Sequence, residues 1–310
     1  MSTYTIYIGV DISKHHLDVY CSDTAQYTRY ANTSTGIAAF LGMLDTATSL
    51  VVMEATGGYE KPLQRALQQA GQASALLNAR KVRDYARASG VLAKTDKLDA
   101  SVLADYAAKF QPRADEPLDD NQHRLKSLVK RQRQLARMIT QEKNRLEHHD
   151  EPDLLGMIRD HIAELQAQYD HVRDLIVEAI AADEAVARRY DILKSCKGIG
   201  PFVAGVLIAD MPELGERDNG TAKALAGLAP YNNDSGTKRG ERHVCHGRAH
   251  VRQAMYQATR SACRFNPDIK AYYERKIAEG KPPKKARTAC AAKLLTTLNS
   301  LLRDDRMWQP

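Results

Sequence analysis

Three features of the 310 residues predict an α/β domain at the front and a mainly helical remainder. Three short β-rich runs stand first, spaced as hairpins. Helix-like and strand-like segments then alternate, the pattern of a sheet with helices on its faces. Past residue 120 the apolar residues recur every three or four positions, the helical period. At roughly 100–200 residues per domain, the length suits two domains and a helical connector.

The elements follow in order. Residues 4–10 (YTIYIGV) are β-rich and run straight into Asp11. HLDVYC (16–21) and QYTRYANT (26–33) come next, with Ser22 and Asp23 in the turn between them. GIAAFLGMLDTA (36–47) has helical composition, and SLVVMEA (49–55) is a short apolar run that fits a buried strand. A helix over about 59–70, a strand over 73–78, a helix over 80–88 and a further helix starting near Thr95 continue the alternation. Three meandering strands followed by α-β-α-β-α is the ribonuclease-H-like layout. The Pro- and Asp-rich stretch from Gln111 to Asp120 reads as the exit linker. The domains are therefore expected at 1–113, 114–190 and 191–310.

The middle segment carries a coiled-coil pattern. Leu155, Ile158, Ile162, Leu165, Tyr169, Val172 and Ile176 form an a/d seam. Leu125, Leu128, Leu135, Ile139 and Leu146 trace a weaker one, interrupted by Gln132 and Glu142. Glu151-Pro152-Asp153 separates the two, so an antiparallel hairpin is expected, serving either its own domain or oligomerisation. The last third opens with Lys197-Gly198-Ile199-Gly200, a turn of helix-hairpin-helix type whose backbone amides would meet a phosphate without reading sequence. A glycine turn between two core helices is the plainer alternative.

Composition excludes several classes. With 43% hydrophobic and 27% charged residues the chain is not disordered. The best apolar run, 175–182, is broken by Glu178 and is too short for a membrane span. MSTYTIYIGVD lacks the basic and apolar regions of a signal peptide. Cys21, Cys196, Cys245, Cys263 and Cys290 are odd in number and lack CxxC spacing, which fits reduced thiols in the cytoplasm. The net charge is +7, but residues 235–310 hold 17 Lys and Arg against 6 Asp and Glu, so the rest is slightly acidic. A polyanion is expected at the C-terminal end.

Four acids stand where chemistry is done. Asp11 ends the first strand, Glu54 ends another, and Asp96 and Asp99 lie three apart, on one face of a helix. Converging, they would repel unless they shared cations; hard oxygen donors suit Mg²⁺. Singly, each has a plainer reading: Asp96 as a helix N-cap, Asp99 as a first-turn acid, Glu54 as a strand-end surface residue. Asp18 and Glu60 are assigned no role. Downstream, Ser235 lies in a polar, Gly-flanked loop with Lys238, Arg239 and Arg242. Flanking cations could steady charge on a phosphate there, although an ordinary Ser-Gly turn explains the loop as well. Further candidate phosphate contacts are Lys197, Arg248, Arg252, Lys281, Lys284 and Lys285. His243, Cys245, His246 and His250 lack a second ligand pair at zinc-finger spacing.

Seven motifs in order carry a family resemblance: IGVDISK (8–14), MEATGGYE (53–60), AKTDKLDA (93–100), KGIGPFVA (197–204), LAGLAPYNNDSG (225–236), GRAHVRQAMY (247–256) and the stretch from Phe265 to Asn299. The chain resembles DEDD-type transposases of the bacterial insertion-sequence family "IS one-ten", subgroup "eleven-eleven". The resemblance implies a RuvC-like domain with its metal tetrad at Asp11, Glu54, Asp96 and Asp99. It also implies a coiled-coil arm and a C-terminal domain with a catalytic serine at Ser235. It further implies an oligomeric (dimeric or tetrameric) Mg²⁺-dependent recombinase in the bacterial cytoplasm, associated with the nucleoid. A structured noncoding RNA would guide it to donor and target DNA, and strands would pass through a phosphoserine link. A related DNA invertase, a junction-resolving nuclease using the tetrad alone, and a non-catalytic nucleic-acid-binding protein are the alternatives. Two departures stand out: Lys197 replaces a frequent proline, and Val244-Cys245-His246-Gly247 replaces a more usual Ile-x-Gly-Gly.

Overall fold

The computed structural model describes residues 4–309 apart from 56, 92, 94, 233, 237–239 and 241. Two compact units emerge, Met1–Pro117 and Leu118–Pro310.

In the first unit, β1 (Ile6–Ile12), β2 (His16–Cys21) and β3 (Tyr27–Ala31) form an antiparallel meander. There follow α1 (Ser34–Leu41), β4 (Ser49–Glu54), α2 (Lys61–Gln69), β5 (Ser74–Leu77), α3 (Ala79–Ala88) and α4 (Asp96–Phe110). β4 lies parallel beside β1 and β5 parallel beside β4, giving the mixed order β3-β2-β1-β4-β5. This is the layout expected of a ribonuclease-H-like domain. α1 is shorter than its composition predicts. Gly42 follows its last residue, and Asp45 accepts from the Ala47 amide and the Thr48 hydroxyl to turn the chain into β4.

Strand alternation splits the apolar residues between two layers. Ile8, Val10, Ile12, Val51 and Met53 pack with Ile37, Phe40, Leu63 and Leu67 of α1 and α2. Tyr7, Leu50, Val52, Ala75 and Leu77 pack on the opposite face with Val82 of α3 and Val102, Leu103 and Ala107 of α4.

The second unit comprises α5 (Asp120–Leu146), α6 (Pro152–Ala181), α7 (Glu184–Ser195), α8 (Pro201–Asp210), α9 (Asn219–Leu225), β6 (Pro230–Tyr231), β7 (His243–Val244), α10 (Ala249–Phe265), α11 (Pro267–Ala278) and α12 (Pro283–Arg303). Asp119 starts α5 with a reciprocal capping box to Gln122. α5 and α6 run antiparallel: Asn121 bonds the Ala179 carbonyl, Arg131 bonds Gln168, and Glu142 lies 3.4 Å from His161. The α6 seam is thus filled by α5 of the same chain. Its inner end, with Leu165, Val172 and Ile176, joins one core that continues through α8, α10 and α12. Arg133 of α5 pairs with Asp210 of α8 at 3.1 Å.

The Gly-Ile-Gly turn lies between α7 and α8. Gly198 has φ +105, and a Cβ there would come within 2.5 Å of the Ala262 Cβ on α10. Asn266 donates to the Lys197 carbonyl at 3.2 Å, fastening the turn from below. No helix among the described residues is long and apolar enough to cross a membrane.

Candidate active site

Strand parity and one glycine build the acidic site. Asp11 shares its face of β1 with Tyr7 and Gly9, the face that α4 covers. At Gly9 an added Cβ would lie 2.0 Å from the Ala100 carbonyl oxygen and 2.6 Å from the Ala104 amide. Only glycine therefore lets α4 sit this low on β1. The close approach brings the first turn of α4, with Asp96 and Asp99, over the end of the strand that carries Asp11. Glu54 follows Leu50 and Val52 on the same face of the neighbouring strand, one step beyond the Val10–Met53 pair. On the other side Asp18 is the register partner of Asp11, and Arg29 is the partner of Asp18. A row of charge, Arg29–Asp18–Asp11–Glu54, thus crosses four strands.

Each acid has a distinct setting. Thr95, not Asp96, caps α4: its hydroxyl accepts from the Leu98 amide at 3.3 Å, so Asp96 is spared that duty. Asp96 is mostly exposed and takes a bond from Arg29 Nη2 at 2.8 Å, while Arg83 of α3 stands 3.9 Å from Asp99. Asp18 is 1% exposed and is neutralised by Arg29 Nε at 2.8 Å, with the Tyr27 hydroxyl donating to the same oxygen. Asp11 bears the cost of the gathering. Burial, then repulsion from Asp99, Glu54, Asp96 and Asp18, pushes its carboxyl up to about 6. Among the described residues no three such side chains close on one point. Asp96 is paired with Arg29, and Asp99 faces Arg83. The donor set, four hard carboxylates of which Asp11 is pushed up by its neighbours, fits a divalent cation.

Sequence reasoning placed the four acids but passed over Asp18, Arg29, Tyr27 and Arg83. Asp18 and Arg29 fall level with Asp11 through the hairpin register of β1–β3, which a sequence does not state.

In the second unit Ser235 is exposed in the loop between β6 and β7, followed by Gly236 at φ +55. Asp234 accepts from the Gly240 amide at 3.1 Å, closing the loop on itself. Lys238 and Arg239 lie outside the described residues. At the base of the loop Gly247 presses on Gly227, where a Cβ would meet its amide at 2.3 Å. Beside the two strands opens a cleft of about 660 Å³, lined by Lys223, Arg242, His243, Tyr272, Lys281, Lys285 and Lys293 among others. Lys197 and Lys284 are exposed elsewhere on this unit.

Two of the expected phosphate contacts have partners within the chain. Arg248 forms a two-bond pair with Glu213 at 2.6 and 2.8 Å. Burial, the largest single influence, pushes Glu213 up, but the Arg248 bond, a backbone hydrogen bond and the charges of Arg248 and Lys126 together hold the carboxyl below its ordinary range. Arg252 donates to the carbonyls of His246 and Gly227 at 2.9 and 3.2 Å, bracing the loop base.

A family described as transposase (DEDD_Tnp_IS110) matches residues 8–149, and the IS116/IS110/IS902 family of transposases matches 190–274. The chain belongs to the IS110 transposase family. This transposase is 27% identical to the pilin gene-inverting protein of Moraxella bovis, over 97% of its own length and 96% of the relative's. The Moraxella lacunata protein of the same name matches equally, again at 27% over 97% and 96%. An insertion element IS116 protein of Streptomyces clavuligerus is 30% identical over 39% of this chain and 31% of the relative. The activity is therefore DNA recombination of the transposase class, and DNA is its substrate.

Proposed function

We propose that this transposase cuts and rejoins DNA with two groups of residues, the magnesium-holding acids Asp11, Glu54, Asp96 and Asp99, and the hydroxyl of Ser235. One observation carries the reading: acids from three separate stretches of sequence are gathered on one sheet face under the first turn of α4, at a cost to Asp11. Folding alone gives no reason to gather them. When bound, magnesium supplies positive charge to a phosphoryl group that gains negative charge during transfer. Arg29, holding both Asp18 and Asp96, keeps the outer acid in place and cancels the buried one.

Ser235 is the nucleophile in this reading. Its Oγ forms a bond to phosphorus as the bond from phosphorus to the 3′ oxygen breaks. The serine proton is lost and the departing oxygen gains one. The ester keeps the bond energy, so a returning 3′ hydroxyl can reverse the step without an external energy source. Arg242, with Lys238 and Arg239 of the same loop, offsets the added charge.

The same reading includes a structured noncoding RNA as guide, pairing with donor and target DNA, and a homo-oligomer, dimer or tetramer, as the working form. Domains at 1–113, 114–190 and 191–310, with the α5–α6 pair as a coiled-coil arm and the Gly-Ile-Gly turn as a helix-hairpin-helix phosphate contact, belong to it as well. Support comes from the order of the seven motifs and from the basic C-terminal third. Inversion of a DNA segment is the second reading, favoured by the near-full-length match to the two Moraxella proteins; its strand chemistry would be the same.

The test uses purified chain, its RNA and a plasmid carrying the element's ends. Asp11→Asn, or excess chelator with the natural chain, is expected to abolish strand cleavage while gel-shift binding persists. Full cleavage by Asp11→Asn would overturn the tetrad.

A further inference from the structure

A second cleft, of about 360 Å³, opens between α10, α11 and α12. Tyr256, Arg260 and Arg264 line it from α10 at i, i+4 and i+8, so they form one stripe on the helix. Tyr273 of α11 and Arg287 of α12 complete the wall, with half-buried Cys263 beside them. No carboxylate lines it, and none of the three arginines has an ion-pair partner among the described residues. Glu279, at the end of α11, is already taken by Lys276 at 2.7 Å and Arg275 at 3.8 Å. Three guanidinium groups sharing a concave wall repel one another and leave their donors to water. Such an arrangement is stabilised by an anion that accepts planar, paired bonds.

The position of the cleft says more. Tyr272 and Tyr273 are consecutive on α11, yet Tyr272 lines the cleft beside the serine loop and Tyr273 lines this one. On α12, Arg287 lines this one, while Thr288, Ala292 and Lys293 line the other. The α11–α12 pair is thus a wall with a basic, tyrosine-bearing cleft on each side.

We infer that the Arg260–Arg264–Arg287 cleft binds the phosphodiester backbone of a nucleic-acid strand separate from the one at the serine loop. Open and larger than one phosphate needs, it suits a strand rather than a free anion. Tyr256 and Tyr273 in its lining are of a residue type on which bases stack. A recombinase handles more than one strand at a time, and a wall between two clefts keeps two strands apart. The inference rests on the DNA-recombining class of the chain and is independent of the metal and serine chemistry.

The experiment is fluorescence anisotropy with the full chain and a labelled single strand, run as DNA and as RNA of the same sequence across a salt series. The variant Arg260→Gln/Arg264→Gln/Arg287→Gln is expected to weaken binding about tenfold or more and to flatten the log–log salt slope by about two, as lost phosphate contacts require. Saturating stoichiometry should fall from two strands per chain to one. The corresponding triple lysine variant should recover the slope, which a purely structural role would not do. Whichever of DNA and RNA loses more identifies the strand. Unchanged affinity, slope and stoichiometry in a folded variant would overturn the inference. Should the variant not fold, a bromouracil-substituted strand crosslinked to the natural chain decides instead. Adducts on the Tyr256 or Tyr273 peptides support the site; adducts only outside α10–α12 contradict it.

Discussion

Asp11 is the residue at which the cost of the site can be measured. Its folded carboxyl titrates near 6 against an ordinary 3.8, so between those values the folded chain holds a proton that the unfolded chain has released. Stability therefore falls as pH rises from about 4 to 6, the reverse of a salt-bridged acid. Asp11 is partly exposed, and solvent screening reduces the penalty to on the order of 1–2 kcal/mol. Asp11→Asn should raise the melting temperature at pH 7.5, change it little at pH 4, and remove any stabilisation by millimolar magnesium. A lower melting temperature at pH 7.5 would show that the carboxylate serves the fold. Single residues were legible to different depths. The four acids could be read because each ends a strand or opens a helix. Arg29 could not, since its face depends on β-hairpin register, which a sequence does not state. His246 could be recognised as a departure from glycine, but only the structure shows why glycine is usual: the position has φ +58. The intrachain partners of Arg248 and Arg252, Glu213 and two backbone carbonyls, were not legible either.

At the scale of elements, the decisive packing is α4 on β1. The Gly9 Cβ position lies 2.0 Å from a backbone oxygen, which cannot swing aside as a side chain could. Gly9→Ala should lift α4 from the sheet, cost about 3 kcal/mol, the upper end of the usual range for overpacked cores, and separate Asp96 and Asp99 from Asp11. Circular-dichroism melting checks the first effect. Loss of magnesium-induced stabilisation in whatever fraction remains folded checks the second. Unaltered melting would mean that the close approach is not maintained. Order and type of the front elements were legible, because alternation of period is a strong local signal. The end of α1 was missed because Ala and Leu continue past Gly42 while Asp45 has already begun the next turn. The seam on α6 was legible as well. The antiparallel pairing with α5 was legible too, from the break at Glu151-Pro152-Asp153, but an a/d stripe does not say whether the pair serves its own domain or another copy.

For the whole molecule, charge is the property that separates front from back. Residues 235–310 carry 17 cationic and 6 acidic side chains, and both basic clefts lie in the second unit. Affinity for DNA should fall steeply with salt, by about 10³ or more between 50 and 200 mM if six or more phosphates are contacted. A fragment spanning 118–310 should keep most of that dependence, whereas 191–310 alone would lose the α5 and α6 side chains that complete its core. Salt-sensitive binding confined to 1–117 would place the polyanion wrongly. Composition made this asymmetry legible, but the division of the basic end into two clefts by α11 and α12 required the fold. A recombinase of this kind differs from a nuclease in holding its strands covalently between cutting and joining. Mass-spectrometric mapping of covalent protein–DNA adducts, trapped during strand exchange on a suicide substrate, tests this most directly. The expected result is DNA esterified to the Ser235 peptide in the natural chain, and none in Asp11→Asn or Ser235→Ala. Strand exchange by Ser235→Ala, or an adduct on a tyrosine such as Tyr256, would contradict it.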